Sequence, residues 1–187
     1  FIFSSVNCQE MWRPIGPDDF NQASYGFTNV SNDGIWNSRL VAKNGSAYLM
    51  NLELGVGSNS RFVLSKFSNG HWVHIDTPFW LSTSSEGSFS FEVDNNEVPY
   101  LFISDPLNND KVALKKFDGT AWVDLGGTAV SNNSAIPLAM TVGSDNLPFV
   151  IYREGSTVKA SQYNGSSWVS IPTTDLEGLY SSAVVKM

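Results

Sequence analysis

A single cysteine, Cys8, stands in a chain of 187 residues, so no disulfide can form within it. There is no CxxC pair and no Cys/His cluster, which excludes a zinc site of ordinary ligand spacing. Histidine is almost as scarce. His71 and His74 flank Trp72 and Val73, are expected to share one face of a strand, and as a bare pair give a weak metal signal. Basic side chains number 11 against 18 acidic ones, for a formal charge of -7 at pH 7. A phosphate backbone or an anionic membrane surface would be repelled, which argues against nucleic-acid partners. No stretch approaches the ~20 apolar residues of a membrane helix, so direct membrane insertion is not expected. Catalytic groupings are missing too: no Ser-His-acid set, no phosphate loop opening a helix, and no motif that picks a pair of carboxylates. The expectation is a protein that is not an enzyme and needs no cofactor or metal.

Helix-favouring runs of Ala, Leu, Glu and Lys are also absent, while Gly and Asn abound between short apolar stretches. That composition reads all-β, and the strands repeat. Lys66-Phe67-Ser68-Asn69-Gly70-His71-Trp72-Val73 recurs as Lys116-Phe117-Asp118-Gly119-Thr120-Ala121-Trp122-Val123 and as Gln162-Tyr163-Asn164-Gly165-Ser166-Ser167-Trp168-Val169. Each copy joins two β-forming runs by Asn-Gly or Asp-Gly, the dipeptides that supply the positive φ of a hairpin turn. The Trps at 72, 122 and 168 are 50 and then 46 residues apart. A period of that size built from strands indicates a repeated sheet, most commonly a propeller blade.

A second pattern precedes each Trp hairpin. Val41, Val93 and Val142 each lie seven residues before an aromatic (Tyr48, Tyr100, Phe149), with a turn between, and five residues later stands an acid: Glu53, Asp105 or Glu154. Joined, the two patterns give four strands per unit, at 35–75, 89–125 and 136–171. The Phe1–Val6 strand-like run and Met11–Gly16 predict the last two strands of another unit at 1–16. The same opening also resembles the tail of a signal peptide, with Cys8 as a lipid-bearing or cleavage-site residue. Residues 180–187 predict the first strand of a further unit. The expected fold is a β-propeller of four-stranded antiparallel blades, three of them complete, with partial blade strands at both termini. A chain stopping mid-unit leaves an open edge, so a longer ring is favoured over a closed four-bladed one.

Pro99-Tyr100-Leu101-Phe102-Ile103-Ser104-Asp105 with Lys115–Val123, and Pro148–Glu154 with Gln162–Val169, resemble the repeats of bacterial propellers. These are found in secreted and surface proteins of Bacteroidetes-type bacteria. The layout is distantly similar to kelch repeats, but the double Gly of kelch is missing. The resemblance covers roughly residues 35 to 187. It implies an extracellular or cell-surface protein with an adhesive or assembly role.

Function breaks the symmetry of a repeat more readily than packing does. Phe67, Trp72, Phe117, Trp122, Tyr163 and Trp168 are therefore expected to pack between units. Glu53, Asp105 and Glu154 are expected either to ring a pocket for a cation or a basic peptide, or to accept hydrogen bonds from loop N–H groups. The second is favoured because every unit has one. Arg153, beside Glu154, completes that candidate set. Trp36, at the head of the first unit, and Trp80, in a connection between units, fall outside the pattern and are candidates to stack on a sugar or anchor a partner. The expected function is non-enzymatic protein–protein binding in a surface or secreted assembly. The alternatives are a lectin-like, glycan-binding propeller and, third, a propeller glycoside hydrolase. Two copies could also complete each other's ring as a homodimer.

Overall fold

The computed structural model describes residues 35–54, 59–76, 79–82 and 88–173. The strands expected at 1–16 and 180–187, and Cys8, lie outside these. Among the described residues the chain forms three antiparallel sheets and no α-helix. Sheet 1 has β1 (Ile35–Lys43), β2 (Ser46–Leu54), β3 (Asn59–Ser68) and β4 (His71–His74), each paired with the next in sequence. A further strand, β5 (Phe79–Ser82), pairs with β3. Sheet 2 is β6 (Phe89–Val93), β7 (Pro99–Asp105), β8 (Lys111–Phe117) and β9 (Trp122–Asp124). Sheet 3 is β10 (Ala135–Val142), β11 (Pro148–Glu154), β12 (Thr157–Tyr163) and β13 (Trp168–Ile171).

The sheets stack face to face with sheet 2 in the middle. Successive residues of a strand point to opposite faces, and β7 uses both. Leu101 and Ile103 join Met50, Leu52, Phe62 and Leu64 of sheet 1, while Tyr100 and Phe102 join Met140, Val150 and Tyr152 of sheet 3. All seven β7 residues are buried as a result. Each fully buried Leu, Ile or Phe side chain contributes about 1.5–3 kcal/mol. Phe62 and Phe89 meet edge to face at 5.0 Å across the first interface, and Met140 N–H donates to Ser90 Oγ at 3.1 Å across the second. The stacking has a direction: the face of sheet 1 bearing Tyr48 meets sheet 2, and the corresponding face of sheet 2, bearing Tyr100, meets sheet 3.

The fourth strands are short, and the chain covers what they leave open. β4 pairs only with residues 65–68 of β3, so the Asn59–Phe62 half would keep a row of unpaired N–H and C=O groups. β5 fills that half in antiparallel register, with Trp80 opposite Arg61. Trp80 therefore sits in a strand rather than a free connection. In sheet 2 residues 125–134 cover β8 the same way, through Leu125 N to Leu114 O (2.9 Å) and Val130 N to Val112 O (2.8 Å).

Equal spacing in the sequence also conceals a change of register. Asn44-Gly45 closes a two-residue turn that sets Val41 opposite Tyr48. The longer turns in sheets 2 and 3, closed by Asp94 N to Val98 O and Gly143 N to Leu147 O, pair Val93 with Pro99 and Val142 with Pro148. A one-residue slip moves a side chain to the other face. Val41 accordingly points forward into the first interface, whereas Val93 points back into it from sheet 2. His71 and His74 are three residues apart and so project from opposite faces of β4, which corrects the expectation of a shared face. Their Nδ1 atoms meet Asn69 O (3.1 Å) and Ser65 Oγ (2.9 Å).

Candidate functional site

The sequence-selected aromatics form a repeated pair. Phe67–Trp72, Phe117–Trp122 and Tyr163–Trp168 sit directly across their hairpins, each with centroids 5.4 Å apart. The indole N–H reaches back to the preceding sheet: Trp122 Nε1 donates to Asp76 Oδ2 at 2.9 Å, and Trp168 Nε1 to the Leu125 carbonyl at 3.0 Å. Gly126, at φ 73°, lies so close to Trp168 and Tyr163 that a Cβ would come within 2.7 Å of the indole nitrogen. Only a glycine lets the chain pass there.

The three acids are each paired within the fold. Glu53 is buried opposite Arg61 and accepts from its Nε (2.8 Å), with Nη2 2.7 Å from the same oxygen. Asp105 accepts from Leu107 N–H at 3.0 Å at the head of a 3-10 turn (Pro106–Asn108), with Lys115 Nζ 3.3 Å away. Glu154 accepts from Asn133 N–H at 2.6 Å and pairs with Lys159, whose ammonium holds its carboxyl below the usual range. Arg153 is half-buried on β11, facing away from sheet 2. None of these residues lines the two clefts described next. Trp36 lies in β1 at a register shift between Ile35 and Asn37, and Trp80 in β5.

The clefts open where adjacent sheets diverge, at the end carrying the β1–β2, β6–β7 and β10–β11 turns. Asparagine contacts link these turns. Asn44 Nδ2 donates to Asn95 O (2.8 Å), Asn95 N to Asn146 Oδ1 (3.0 Å), and Asn95 Nδ2 to Ser144 O (3.2 Å). Between sheets 1 and 2 the space is about 440 Å³, lined by Tyr48, Lys66, Ile75, Glu97, Val98 and Phe117 among others. Glu97 clamps it: the carboxylate accepts from Tyr48 Oη (2.7 Å), Lys66 Nζ (2.8 Å) and Ser46 Oγ (3.3 Å). Its backbone is left-handed, φ 61°, a conformation that costs a non-glycine residue and persists only where the surroundings hold it. Lys66 Nζ also sits 4.9 Å from the Tyr48 ring centroid.

Lys66, then Tyr48, hold the Glu97 carboxyl below the usual carboxylate range. The unfolded chain therefore binds that proton more readily than the folded one. The clamp's stabilisation is present above the ordinary Glu pKa and is lost as pH falls through the lowered value. Asp76, pushed up chiefly by burial, works in the opposite sense, so the comparison has to be between variants. Denaturation midpoints measured against pH should show that Glu97→Gln flattens the acid-side loss relative to the unmodified protein. Parallel curves would mean the clamp adds no pH-dependent stability.

Between sheets 2 and 3 the corresponding cleft is about 350 Å³ and is lined by Asp94, Asn96, Val98, Tyr100, Lys116, Leu125, Asn146, Tyr163 and neighbours. Its parts match the first: Tyr100 stands opposite Lys116 as Tyr48 stands opposite Lys66. The clamp is gone. Asn146, at φ 62°, holds the place of Glu97, three residues before the aromatic of the second strand in each case. Asp94 Oδ1 accepts from Asn96 N and Val98 N (2.8 Å each), and its Oδ2 from Tyr100 Oη at 3.3 Å. Burial, then the Asp94 charge, pushes the Tyr100 hydroxyl to about 12, so it stays a donor. These residues do not stand out in the sequence, because a lysine before an aromatic reads as a solvated strand position. The available signal was Glu97 against Asn146, which emerges only after the turns are aligned.

No family model matches the chain, and neither does any curated protein. Among solved structures it is similar to a fucose lectin from Kordia zhangzhouensis in complex with methyl-fucoside, at TM-score 0.49 and 12% identity, covering 74% of this chain and 99% of that chain.

Proposed function

We propose that the chain is a carbohydrate-binding protein, an extracellular β-propeller whose blades are the three stacked sheets and whose ligand sits between blades. One observation carries this: the unclamped cleft between sheets 2 and 3. It brings two tyrosines, two asparagines, an aspartate and a lysine around about 350 Å³. That is the lower range of small-molecule sites, roughly 300–1,000 Å³. A sugar ring offers C–H faces to aromatic side chains and hydroxyls to amides, and this lining has both. The directional stacking, each sheet's Tyr-bearing face on the next sheet, supports the blade reading. We read the chain as a binder rather than a hydrolase. Asp94 is the one carboxylate lining this cleft among the described residues, and glycoside hydrolysis uses two.

The test is binding of a monosaccharide panel, read by saturation-transfer NMR and titration calorimetry. Asn146→Gly keeps the left-handed turn and deletes the amide. It should weaken the best sugar by about tenfold, the size of one lost hydrogen bond that leaves a partner unsatisfied, with little change in melting temperature. No sugar binding by the unmodified protein, or unaltered affinity in Asn146→Gly, would discard the reading. A second reading, protein assembly, rests on Val73, Val123 and Val169. They are exposed at the same position of β4, β9 and β13 and present an apolar row on the outer strands. Replacing all three by Thr should abolish partner capture and leave sugar binding intact.

A further inference from the structure

We propose that the cleft between sheets 2 and 3 selects a sugar bearing a carboxylate, seated where the Glu97 carboxylate sits in the cleft between sheets 1 and 2. This rests on the carbohydrate reading above and names the class of sugar. The protein supplies its own comparison. In the first cleft a carboxylate is recognised by a lysine and a tyrosine of the preceding sheet, Lys66 Nζ at 2.8 Å and Tyr48 Oη at 2.7 Å. The second cleft keeps Tyr100 and Lys116, which also borders the first cleft, in the same register. Here Tyr100 donates to Asp94 instead, and the acid that answers Lys66 in the first cleft is missing, because Asn146 stands in its place.

Lys116 is half-buried and, among the described residues, makes no ion pair or hydrogen bond. Asn146 Oδ1 is fixed by Asn95 N–H, which leaves its NH₂ to donate into the cleft. Asp94 is the cleft's opposing charge. Its Oδ1 accepts two backbone N–H groups and its Oδ2 the Tyr100 hydroxyl, and among the described residues no ion pair joins it to Lys116. A ligand carboxylate would take a charge-assisted bond from Lys116 Nζ, which is shorter and about twice as strong as a neutral one. Its remaining oxygen would accept from the Asn146 amide. Lysine suits this role as a point charge that needs no bidentate geometry.

Titration calorimetry with glucuronic acid and N-acetylneuraminic acid, against glucose and galactose, tests the proposal on the full chain. At least one acid should bind about tenfold or more tighter than the neutral sugars. That margin should shrink with added salt and disappear in Lys116→Gln. Asn146→Glu is the decisive variant. It installs the missing acid on a backbone of the conformation Glu97 already adopts, so it should shut out the acidic sugar while the melting temperature holds or rises. An acid preference that survives Lys116→Gln or Asn146→Glu overturns the proposal. Binding of neutral sugars without the acids overturns it too, and leaves the carbohydrate reading standing. A short peptide ending in a free carboxylate that binds where no sugar does overturns both.

Discussion

Trp122→Ala should lower the free energy of unfolding by about 3 kcal/mol, the low end for a large aromatic truncated to alanine because the ring is only half-buried. The side chain packs against Phe117 at 5.4 Å and borders the core between sheets 1 and 2. Its Nε1 donates to Asp76 Oδ2 at 2.9 Å, while the other carboxylate oxygen accepts from Leu64 N–H at 2.9 Å. Asp76 is thus a knot between the end of sheet 1 and the hairpin of sheet 2. Burial pushes its carboxyl upward, and the two donors are what keep the charge tolerable. Alanine removes the ring and one of those donors together. Trp122→Phe separates the terms, since it keeps most of the ring and should cost about 1.5–3 kcal/mol for the bond to a charged acceptor. Trp168→Phe loses a bond to a neutral carbonyl and should cost less, about 1 kcal/mol. Urea unfolding with unchanged slopes would measure all three. A loss under 1 kcal/mol for Trp122→Ala would mean the indole is a surface ornament rather than an inter-sheet staple.

These staples were the most legible part of the chain. A Trp placed five residues after an aromatic must lie across a hairpin from it, and turn chemistry fixed which residues bend. Gly70, Gly119 and Gly165 do adopt positive φ, at 83°, 100° and 96°. The Asp118 and Asn164 side chains accept the turn's N–H groups, Thr120 and Ala121 in one copy, Ser166 and Ser167 in the other. What stayed hidden depends on long-range pairing. The β1–β2, β6–β7 and β10–β11 turns differ in length while the Val-to-aromatic spacing is constant, so register, and with it facing direction, could not be counted from the sequence. β5 was hidden for a related reason. Phe79–Ser82 becomes a strand because β4 is too short to cover β3, a property of the partner rather than of these four residues. The candidate cleft was hidden twice over, since its residues come from two sheets and its significance lies in Asn146 standing where the neighbouring cleft has Glu97.

Arg61→Met should cost about 3–5 kcal/mol, the penalty for leaving a buried carboxylate without its partner. Arg61 and Glu53 face each other across β2 and β3, with side chains 3% and 4% exposed. Desolvating both ions is expensive, and the pair repays it only because two nitrogens of the guanidinium reach one carboxylate oxygen, at 2.7 and 2.8 Å. Remove the cation and the debt remains with nothing to offset it. The half-exposed Lys66–Glu97 pair lacks this leverage, because water can solvate whichever partner is left. The double variant is the sharper test. Glu53→Leu with Arg61→Met replaces both ions by apolar groups of similar size, so it should regain most of the loss and fall within about 1–2 kcal/mol of the unmodified protein. A double variant as unstable as Arg61→Met alone would show that the cost lies in arginine contacts other than Glu53. In that case the pair would be a consequence of how β3 packs, and the acid that recurs in each sheet would need a different explanation from internal charge pairing.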